Sequence, residues 1–252
     1  MYTRIKTIYK KIILLSHIDI DTLYNIDNND IIINFCGVNR ASSFNEYNQA
    51  NYHFIKNIVN ILNNKRPYFI HVSSLMVYGF KNKNIEELVE YQKWFIESKL
   101  CGENYLKETY VNDKLCIIRP ANIFGYNCRP YYNNLLITLL YEKINNLSKI
   151  NKINKNCYRN ILSINNFCTE FIDILINKKH GIFNILSNNN INLEDLIKLI
   201  HNNIPLYIDI YHGEQDIFNM NNNNIIGTNI IVNENINEEL TLLEEHLKTH
   251  IF

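Results

Sequence analysis

The chain has 252 residues, a mass of 29.9 kDa and 46% hydrophobic residues, enough to bury a full core in one large α/β domain or in two lobes. Its 25 basic and 25 acidic side chains balance, so the sequence predicts no nucleic-acid partner. Only four prolines and seven glycines are present, which excludes a collagen-like or low-complexity chain. The first glycine is Gly37, and no glycine-rich phosphate loop precedes it.

The N-terminal half alternates short apolar runs with stretches of helical periodicity. The runs are apolar throughout and do not alternate with polar residues, which is typical of buried parallel strands. The predicted strands are Lys11–Ser16, Ile31–Cys36, Tyr68–Val72 and Lys114–Ile118, and the predicted helices are Asn48–Asn63 and Glu87–Tyr105. This order predicts an α/β fold with a Rossmann-like, doubly wound parallel sheet.

The C-terminal half has a looser pattern and a smaller share of strands. Its predicted helices are Asn133–Leu147, Ile164–Ile176, Asn188–Ile200 and Asn237–His250, with a strand at Gly181–Leu186 and polar loops at Asn151–Asn156 and Asn219–Asn224. We expect a Rossmann-like core over residues 1–126, to which residues 161–187 return. Residues 127–160 and 188–252 are expected to form a small substrate-binding lobe.

Cysteine spacing and hydropathy indicate the cellular setting. The six cysteines include no C-x-x-C pair and no cluster with histidine at metal-ligand spacing, so no metal site is predicted. No signal peptide is recognised, which favours reduced thiols and a cytoplasmic location. The longest apolar runs are far too short to span a membrane, so no membrane partner is expected.

Four short motifs, in this order, carry a resemblance to a known family. They are IIINFCGVNR (Ile31–Arg40), HVSSLMVYG (His71–Gly79), FIESKLCGENYL (Phe95–Leu106) and IIRPANIFG (Ile117–Gly125). Each is weak alone, but their order and spacing resemble the extended short-chain dehydrogenase/reductases, the NAD-dependent epimerases, dehydratases and reductases of sugar nucleotides. The resemblance covers nearly everything from Lys11 onward.

Within that family, the chain is most similar to reductases of 4-keto-6-deoxy nucleotide sugars. The stretch from Cys128 to Asn133 (CRPYYN) is similar to enzymes that make UDP-linked 2-acetamido-2,6-dideoxy-hexoses, which favours a UDP-sugar as the partner. The resemblance also implies NADP or NAD as the cofactor. It places the cofactor beside Gly37, Lys99 and Pro120.

The same resemblance assigns the catalytic positions. In this family a tyrosine donates a proton to the ketone, a lysine four residues later lowers the pKa of that tyrosine, and a serine or threonine binds the ketone oxygen. Ser74 and Lys99 match the serine and the lysine, but Phe95 stands where the tyrosine is expected. Tyr91, one helical turn before Phe95, is the candidate replacement, and a surface or packing role for it is the alternative.

A second departure concerns the cofactor. The family opens with a strand and a G-x-x-G-x-x-G turn that binds the pyrophosphate, and this sequence has no such turn. In one alignment Lys11–Ile33 corresponds to the family's second strand and the segment after it, and in the other Lys11–Ser16 is the first strand with two βα units deleted. Both make the core N-terminally shortened and predict impaired dinucleotide binding.

Substrate contacts are assigned by the resemblance as well. A planar guanidinium can bind a diphosphate in bidentate fashion, and two arginines match positions near the nucleotide diphosphate. Polar residues of the same segments would face the sugar or the uracil, although each could instead satisfy loop backbone. The predicted substrate-binding residues are Asn122, Arg129, Tyr132, Asn133 and Arg159.

Three hypotheses about activity remain open at this point. The chain is a working UDP-sugar reductase or epimerase with a rearranged cofactor site, a catalytically silent relative that binds a nucleotide sugar or a partner subunit, or a shortened gene product without a dedicated role. Loss of both the glycine-rich turn and the tyrosine favours the second or third, and retention of Ser74, Lys99 and the CRPYYN stretch argues against the third. Family members often dimerise through two helices, here Asn48–Asn63 and Glu87–Tyr105.

Overall fold

The computed structural model describes residues 20–39, 41–79, 88–125, 135–145, 151–154, 156–188, 190–201, 208–211 and 226–250. The strands are β1 (Ile31–Asn34), β2 (Tyr68–Val72), β3 (Leu115–Pro120), β4 (Asn122–Phe124), β5 (Asn151–Asn154), β6 (Tyr158–Ser163), β7 (Gly181–Ser187), β8 (Asn190–Asn192), β9 (Ile208–Tyr211) and β10 (Thr228–Val232). The helices are α1 (Phe44–Asn48), α2 (Phe54–Leu62), α3 (Glu90–Thr109), α4 (Leu135–Ile144), α5 (Ile164–Ile176), α6 (Leu193–Ile200) and α7 (Ile236–His250).

Five parallel strands form the main sheet, in the order β1-β2-β3-β7-β10. Successive strands are joined by helical crossovers, because parallel neighbours cannot be connected by tight hairpins. All carboxyl ends of these strands therefore lie at one edge of the sheet. That edge is called the ligand edge below, since open α/β sheets bind their ligands there.

Helices cover both faces of the sheet, as a doubly wound fold requires. On one face α2 and α3 pack on Phe69 and Ile117, and on the other α5 packs on Ile70 and Ile118. Adjacent residues of one strand thus enter different clusters, because side chains alternate across a sheet. Both faces are apolar, which explains why these strands read as continuous hydrophobic runs.

A second apolar cluster lies outside the sheet and joins three helices of the C-terminal half. It is built from α4, α6 and α7 and includes Leu139, Leu196, Leu243 and Leu247. Two small sheets accompany it, β4-β6-β8 and β5-β9. The division into a core and a substrate-binding lobe stays a prediction. The strand β10 belongs to the segment predicted to form the lobe, but it pairs with β7 in the main sheet.

Most of the predicted elements are present. The strand Tyr68–Val72 and the helix Ile164–Ile176 have the predicted bounds. The predicted polar loop at Asn151–Asn156 is wrong in part, because Asn151–Asn154 forms β5 and pairs with β9. The helix predicted from Asn188 begins at Leu193, where the Asn192 side chain accepts a hydrogen bond from the Glu194 backbone N–H as an N-cap. The segments Lys11–Ser16 and Asn219–Asn224 lie outside the described residues.

The described part of the chain also bears on membranes, metals and thiols. No helix in these ranges is long and apolar enough to cross a bilayer. No group of three or more His, Cys, Asp or Glu side chains there could hold a metal ion. The described cysteines are all free thiols: Cys36, Cys101, Cys116, Cys157 and Cys168.

The helix α3 packs unusually closely on the segment before α2. Residues Gln49–His53 form one turn of π-helix between α1 and α2. A Cβ on Gly102 of α3 would lie 2.3 Å from the Asn51 backbone oxygen and 2.7 Å from Ile55 Cδ1. Only glycine allows this approach, because a backbone oxygen cannot move aside as the tip of a side chain can.

Gly102→Ala is therefore expected to destabilise the fold. The substitution would gain about 1 kcal/mol of helix propensity, but overpacking against Asn51 costs about 1–3 kcal/mol. Urea unfolding should show a net loss, with Cys101→Ala on the exposed side of α3 as the matched control. A Gly102→Ala protein as stable as wild type would show that α3 does not pack this closely.

Candidate functional site

The ligand edge brings three sequence motifs together. Gly37 follows β1, Ser73 and Ser74 follow β2, and Asn122 follows β3. The three strands are neighbours in the sheet, so residues far apart in sequence meet at one place. The helix α3 lies over this edge and contributes Lys99.

Lys99 is buried without a hydrogen-bond partner. Its relative exposure is 6%, and within the described ranges Nζ donates no hydrogen bond. A Cβ on Gly37 would lie 2.6 Å from Lys99 Nζ, so the ammonium group lies directly against the Gly37 backbone. Gly37 itself is exposed, and Nζ therefore lies directly beneath accessible backbone at the ligand edge.

Burial weakens the binding of a proton at Lys99. It lowers the pKa of Lys99 to about 8, and the charges of Glu103 and Cys36 oppose this shift only in part. The neighbouring Cys36 has a raised pKa, because burial outweighs the effect of the Lys99 charge. Lys99, which the family resemblance assigns to the site, therefore changes its protonation state near neutral pH.

Glu103, one turn after Lys99 on α3, is committed to another cation. Its carboxylate accepts hydrogen bonds from Nε and from an Nη of Arg119 on β3, and both side chains are almost fully buried. The Arg119 guanidinium also stacks over the Tyr78 ring at 4.8 Å and donates to the Tyr78 hydroxyl. No hydrogen bond joins Glu103 to Lys99 in the described structure, although the Glu103 charge raises the pKa of Lys99 and so acts against the effect of burial.

Asn51 fixes the loop that carries Gly37. Its Oδ1 accepts from the Val38 backbone N–H at 3.1 Å, and its Nδ2 donates to the Val38 carbonyl at 3.2 Å and to Ser98 Oγ at 2.9 Å. Ser98 Oγ in turn donates to the Phe95 carbonyl at 3.0 Å. The sequence pattern does not single out Asn51. The signal that could have revealed it is an asparagine at a helical position whose apolar spacing predicts a buried side chain. In the structure Asn51 is fully buried.

Two more buried polar residues lie on β2 and directly after it. His71 is fully buried, its Nδ1 lies 3.2 Å from Asn34 Nδ2, and its Nε2 has no partner within the described ranges. Burial, together with the Lys99 charge, lowers the pKa of His71 to about 3, so this ring is neutral at physiological pH. The buried Ser73 hydroxyl also lacks a partner among the described residues.

Ser74 and Phe95 occupy the positions that the motifs predict. Ser74 begins the short turn Leu75–Tyr78, and its Oγ accepts from the Met76 backbone N–H at 3.1 Å. Phe95 is 7% exposed and packs edge-on against Tyr47. Lys99 Nζ lies 5.9 Å from the centre of the Phe95 ring, a cation–π distance. An aromatic side chain without a hydroxyl thus stands next to the lysine.

The other predicted site residues have diverse surroundings. Tyr91 is 46% exposed and lies two turns before Lys99 on α3, and Pro120 is buried at the end of β3. Asn122 donates to the Asn160 carbonyl at 3.1 Å, and Arg159 donates to the Tyr158 carbonyl at 2.8 Å. The remaining predicted substrate-binding residues, Arg129, Tyr132 and Asn133, lie outside the described residues.

Removing the Lys99 charge is expected to stabilise the protein. The pKa falls from 10.5 to about 8 on folding, so between these pH values the unfolded chain binds more protons and stability rises with pH. Below pH 8 the full cost, about 3 kcal/mol, is present. Lys99→Met should therefore gain up to about 3 kcal/mol at neutral pH and lose the rise in stability between pH 8 and 10.5.

Urea unfolding across this pH range checks that expectation, with the exposed Lys107→Met on the same helix as the control. A Lys99→Met protein that is less stable than wild type at pH 7, or that keeps the rise, would show that the Lys99 ammonium is paired.

Comparison with known proteins identifies the family. The model of the NAD dependent epimerase/dehydratase family matches residues 8–185, which is well over half of the chain. The chain belongs to this family. No curated protein sequence matches the chain.

Solved structures share the fold at low sequence identity. UDP-glucuronic acid 4-epimerase from Bacillus cereus, in complex with NAD, is 16% identical with a TM-score of 0.70, over 94% of this chain and 80% of that one. RMD from Pseudomonas aeruginosa, complexed with NADPH, is 15% identical with a TM-score of 0.66, over 94% and 87%. Pal from Bacillus thuringiensis is 17% identical with a TM-score of 0.70, over 93% and 80%. These likenesses support the Rossmann-like fold.

The described residues do not form a complete site for the nicotinamide cofactor that this family implies. A Cβ on Gly37 would lie 2.6 Å from Lys99 Nζ and 2.7 Å from Asn51 Oδ1, so the place beside this backbone is already filled. No glycine-rich turn for the pyrophosphate occurs within the described ranges.

Proposed function

We propose that this chain binds and modifies a UDP-linked 4-keto-6-deoxy-hexose with NAD(P)H, by reduction or epimerisation, and that it works slowly because Phe95 replaces the tyrosine. The observation that carries the proposal is the Lys99 ammonium, which is buried at the ligand edge against Gly37. Its Nζ donates no hydrogen bond to any described residue. Membership of a family that acts on sugar nucleotides supplies the substrate class.

The energetic cost of Lys99 supports a role in binding or catalysis. An unpaired charge in the interior costs several kcal/mol, so such groups are usually neutral, paired or functional. Lys99 is charged over most of the neutral range and donates no hydrogen bond to any described residue, while a methionine of similar length would avoid the cost. Ionisable groups shifted by burial are concentrated at active sites.

The remaining side chains would orient the substrate and exclude water. Ser74 Oγ lies at the end of β2, where its hydroxyl hydrogen can be donated to a ketone oxygen while its lone pair caps the following turn. Phe95 closes the site with an apolar ring, which strengthens electrostatic interactions at Lys99 by excluding water. Reduced nicotinamide, when bound, supplies the hydride in this chemistry.

A catalytically silent role is the second candidate, and the buried Phe95 favours it. Loss of a general acid typically lowers a rate by about 10²–10⁴-fold. In this case the chain would bind a nucleotide sugar, or a partner subunit, without turnover. The first candidate predicts both binding and turnover of the nucleotide sugar, and the second predicts no turnover.

Calorimetry on the purified chain tests the proposal. The protein is titrated with UDP, with a UDP-4-keto-6-deoxy-hexose and with NADPH, and each is repeated on Asn122→Ala. The proposal expects saturable binding of the nucleotide sugar, with a lower affinity in Asn122→Ala. It expects the affinity for NADPH to be lower than the affinity for the nucleotide sugar. Absence of any heat from UDP or the UDP-sugar would refute it. Binding of the sugar with no NADPH binding would favour the silent role.

A further inference from the structure

A buried histidine ends α6, next to the apolar cluster that α6 forms with α4 and α7. His201 is the C-cap residue of α6, and its backbone N–H donates to the Ile197 carbonyl at 2.9 Å. The residue is 5% exposed, and neither ring nitrogen has a hydrogen-bond partner within the described ranges. Buried polar side-chain atoms are normally hydrogen-bonded. The ring is therefore a polar group whose place in this cluster calls for an explanation.

The surroundings of the ring favour its neutral form. The cluster contains apolar side chains from all three helices, among them Leu139 of α4, Ile200 of α6 and Leu243 of α7. Burial lowers the pKa of His201, because it penalises the charged form, and the Lys143 charge acts in the same direction. The Leu139 backbone and the Glu244 charge oppose this shift.

The charged neighbours of the ring are already paired with each other. Lys143 near the end of α4 and Glu244 of α7 form an ion pair at 2.8 Å. Glu244 also pairs at 2.8 Å with Lys248, one turn further along α7. A proton on His201 would thus add a third positive charge around one carboxylate. The ion pair leaves little attraction to offset the burial of a charged ring.

We propose that His201 is a pH-sensitive switch, which keeps the cluster of α4, α6 and α7 closed while the ring is neutral and opens it when the ring is protonated. The step is the transfer of one proton from solvent to a ring nitrogen. The protonated ring has two N–H donors, and the closed cluster offers neither of them a hydrogen-bond acceptor among the described residues. When the end of α6 moves away, water supplies both acceptors.

The direction of the pH effect follows from the two states of the ring. In the open state the ring is hydrated and has the ordinary histidine pKa of about 6.5, whereas its pKa is lower in the closed state. Below pH 6.5 the open state therefore binds more protons. The opening constant should rise by up to about tenfold per pH unit, until the pH reaches the pKa of the buried ring.

Hydrogen exchange followed by mass spectrometry at pH 7.5, 6.5 and 5.5, corrected for the intrinsic exchange rate, tests the proposal on the full chain. Peptides that cover Leu193–His201 should lose protection on acidification, while those that cover Tyr68–Val72 in the main sheet should keep it. His201→Leu cannot be protonated and should keep the protection of α6 at all three pH values. His180→Gln, which replaces an exposed histidine, should respond as wild type does.

Two further measurements keep the proposal testable if His201→Leu does not fold. Lys143→Met removes a positive charge beside the ring and leaves Glu244, so the loss of protection on acidification should be smaller than in wild type. In wild type, the His201 ring resonance should titrate by NMR with a midpoint below 6.5.

Four results would overturn the proposal. They are unchanged protection of α6 in wild type between pH 7.5 and 5.5, an equal loss in His201→Leu, an equal loss in the main sheet, and a His201 ring that titrates at or above pH 6.5. The third result would show that acid unfolds the whole chain, without a separate opening of the cluster.

Discussion

Replacing Phe95 by tyrosine is expected to raise the rate of ketone reduction by about 10²–10⁴-fold, the usual contribution of a positioned general acid. The tyrosine would place a hydroxyl on a ring whose centre, in Phe95, lies 5.9 Å from Lys99 Nζ. A neighbouring cation favours the phenolate and so lowers the pKa of the tyrosine. Steady-state kinetics at fixed UDP-sugar and NADPH concentrations measures the gain.

Phe95→Leu is the matched control for this substitution. It also lacks a hydroxyl and keeps the position apolar, so it should not gain activity. The substitution by tyrosine adds one polar atom near Tyr47 and the other apolar neighbours, so urea unfolding of both variants should accompany the kinetics. A stable Phe95→Tyr protein with no more activity than wild type would contradict the view that the missing hydroxyl limits the rate.

Glu103→Ala is expected to cost about 3–5 kcal/mol of folding free energy, because it leaves the buried Arg119 guanidinium without a counter-charge. Both side chains of the pair are almost fully buried, and two hydrogen bonds join them. The Tyr78 ring still covers Arg119 but cannot neutralise it. Urea unfolding at pH 7 measures the loss.

Two further variants separate the ion pair from general effects on α3. Glu108→Ala, on the exposed side of the same helix, should change stability by less than about 0.5 kcal/mol. The double variant Glu103→Leu with Arg119→Met replaces the pair by apolar groups and should recover most of the loss. A Glu103→Ala protein within about 1 kcal/mol of wild type would argue that Arg119 is not buried as described.

The fold could be predicted from the sequence where local pattern and burial agree. Tyr68–Val72 was predictable because all its residues except His71 are apolar, and Ile164–Ile176 because it has a helical apolar face. Asn151–Asn154 could not be predicted as a strand. It contains one apolar residue, and its partner β9 is far away in sequence, so its pairing has no local pattern.

The site was predictable only in part, for a similar reason. Gly37 and Ser74 follow neighbouring parallel strands, so their position at the ligand edge follows from the order of strands. The Glu103, Arg119 and Tyr78 contacts join three motifs through side chains, and the Asn51 contacts with Val38 and Ser98 depend on a π-helical turn. Neither set of contacts produces a residue spacing that can be recognised in the sequence.

The measurement that tests the central claim most directly is a single-turnover assay with the protein in excess over a UDP-4-keto-6-deoxy-hexose, in the presence of NADPH, with the products separated by chromatography. Our account predicts slow formation of the UDP-linked alcohol that depends on Lys99 and is accelerated by Phe95→Tyr. Full recovery of the unchanged ketone with both wild type and Phe95→Tyr, at protein concentrations where the nucleotide sugar is bound, would contradict it.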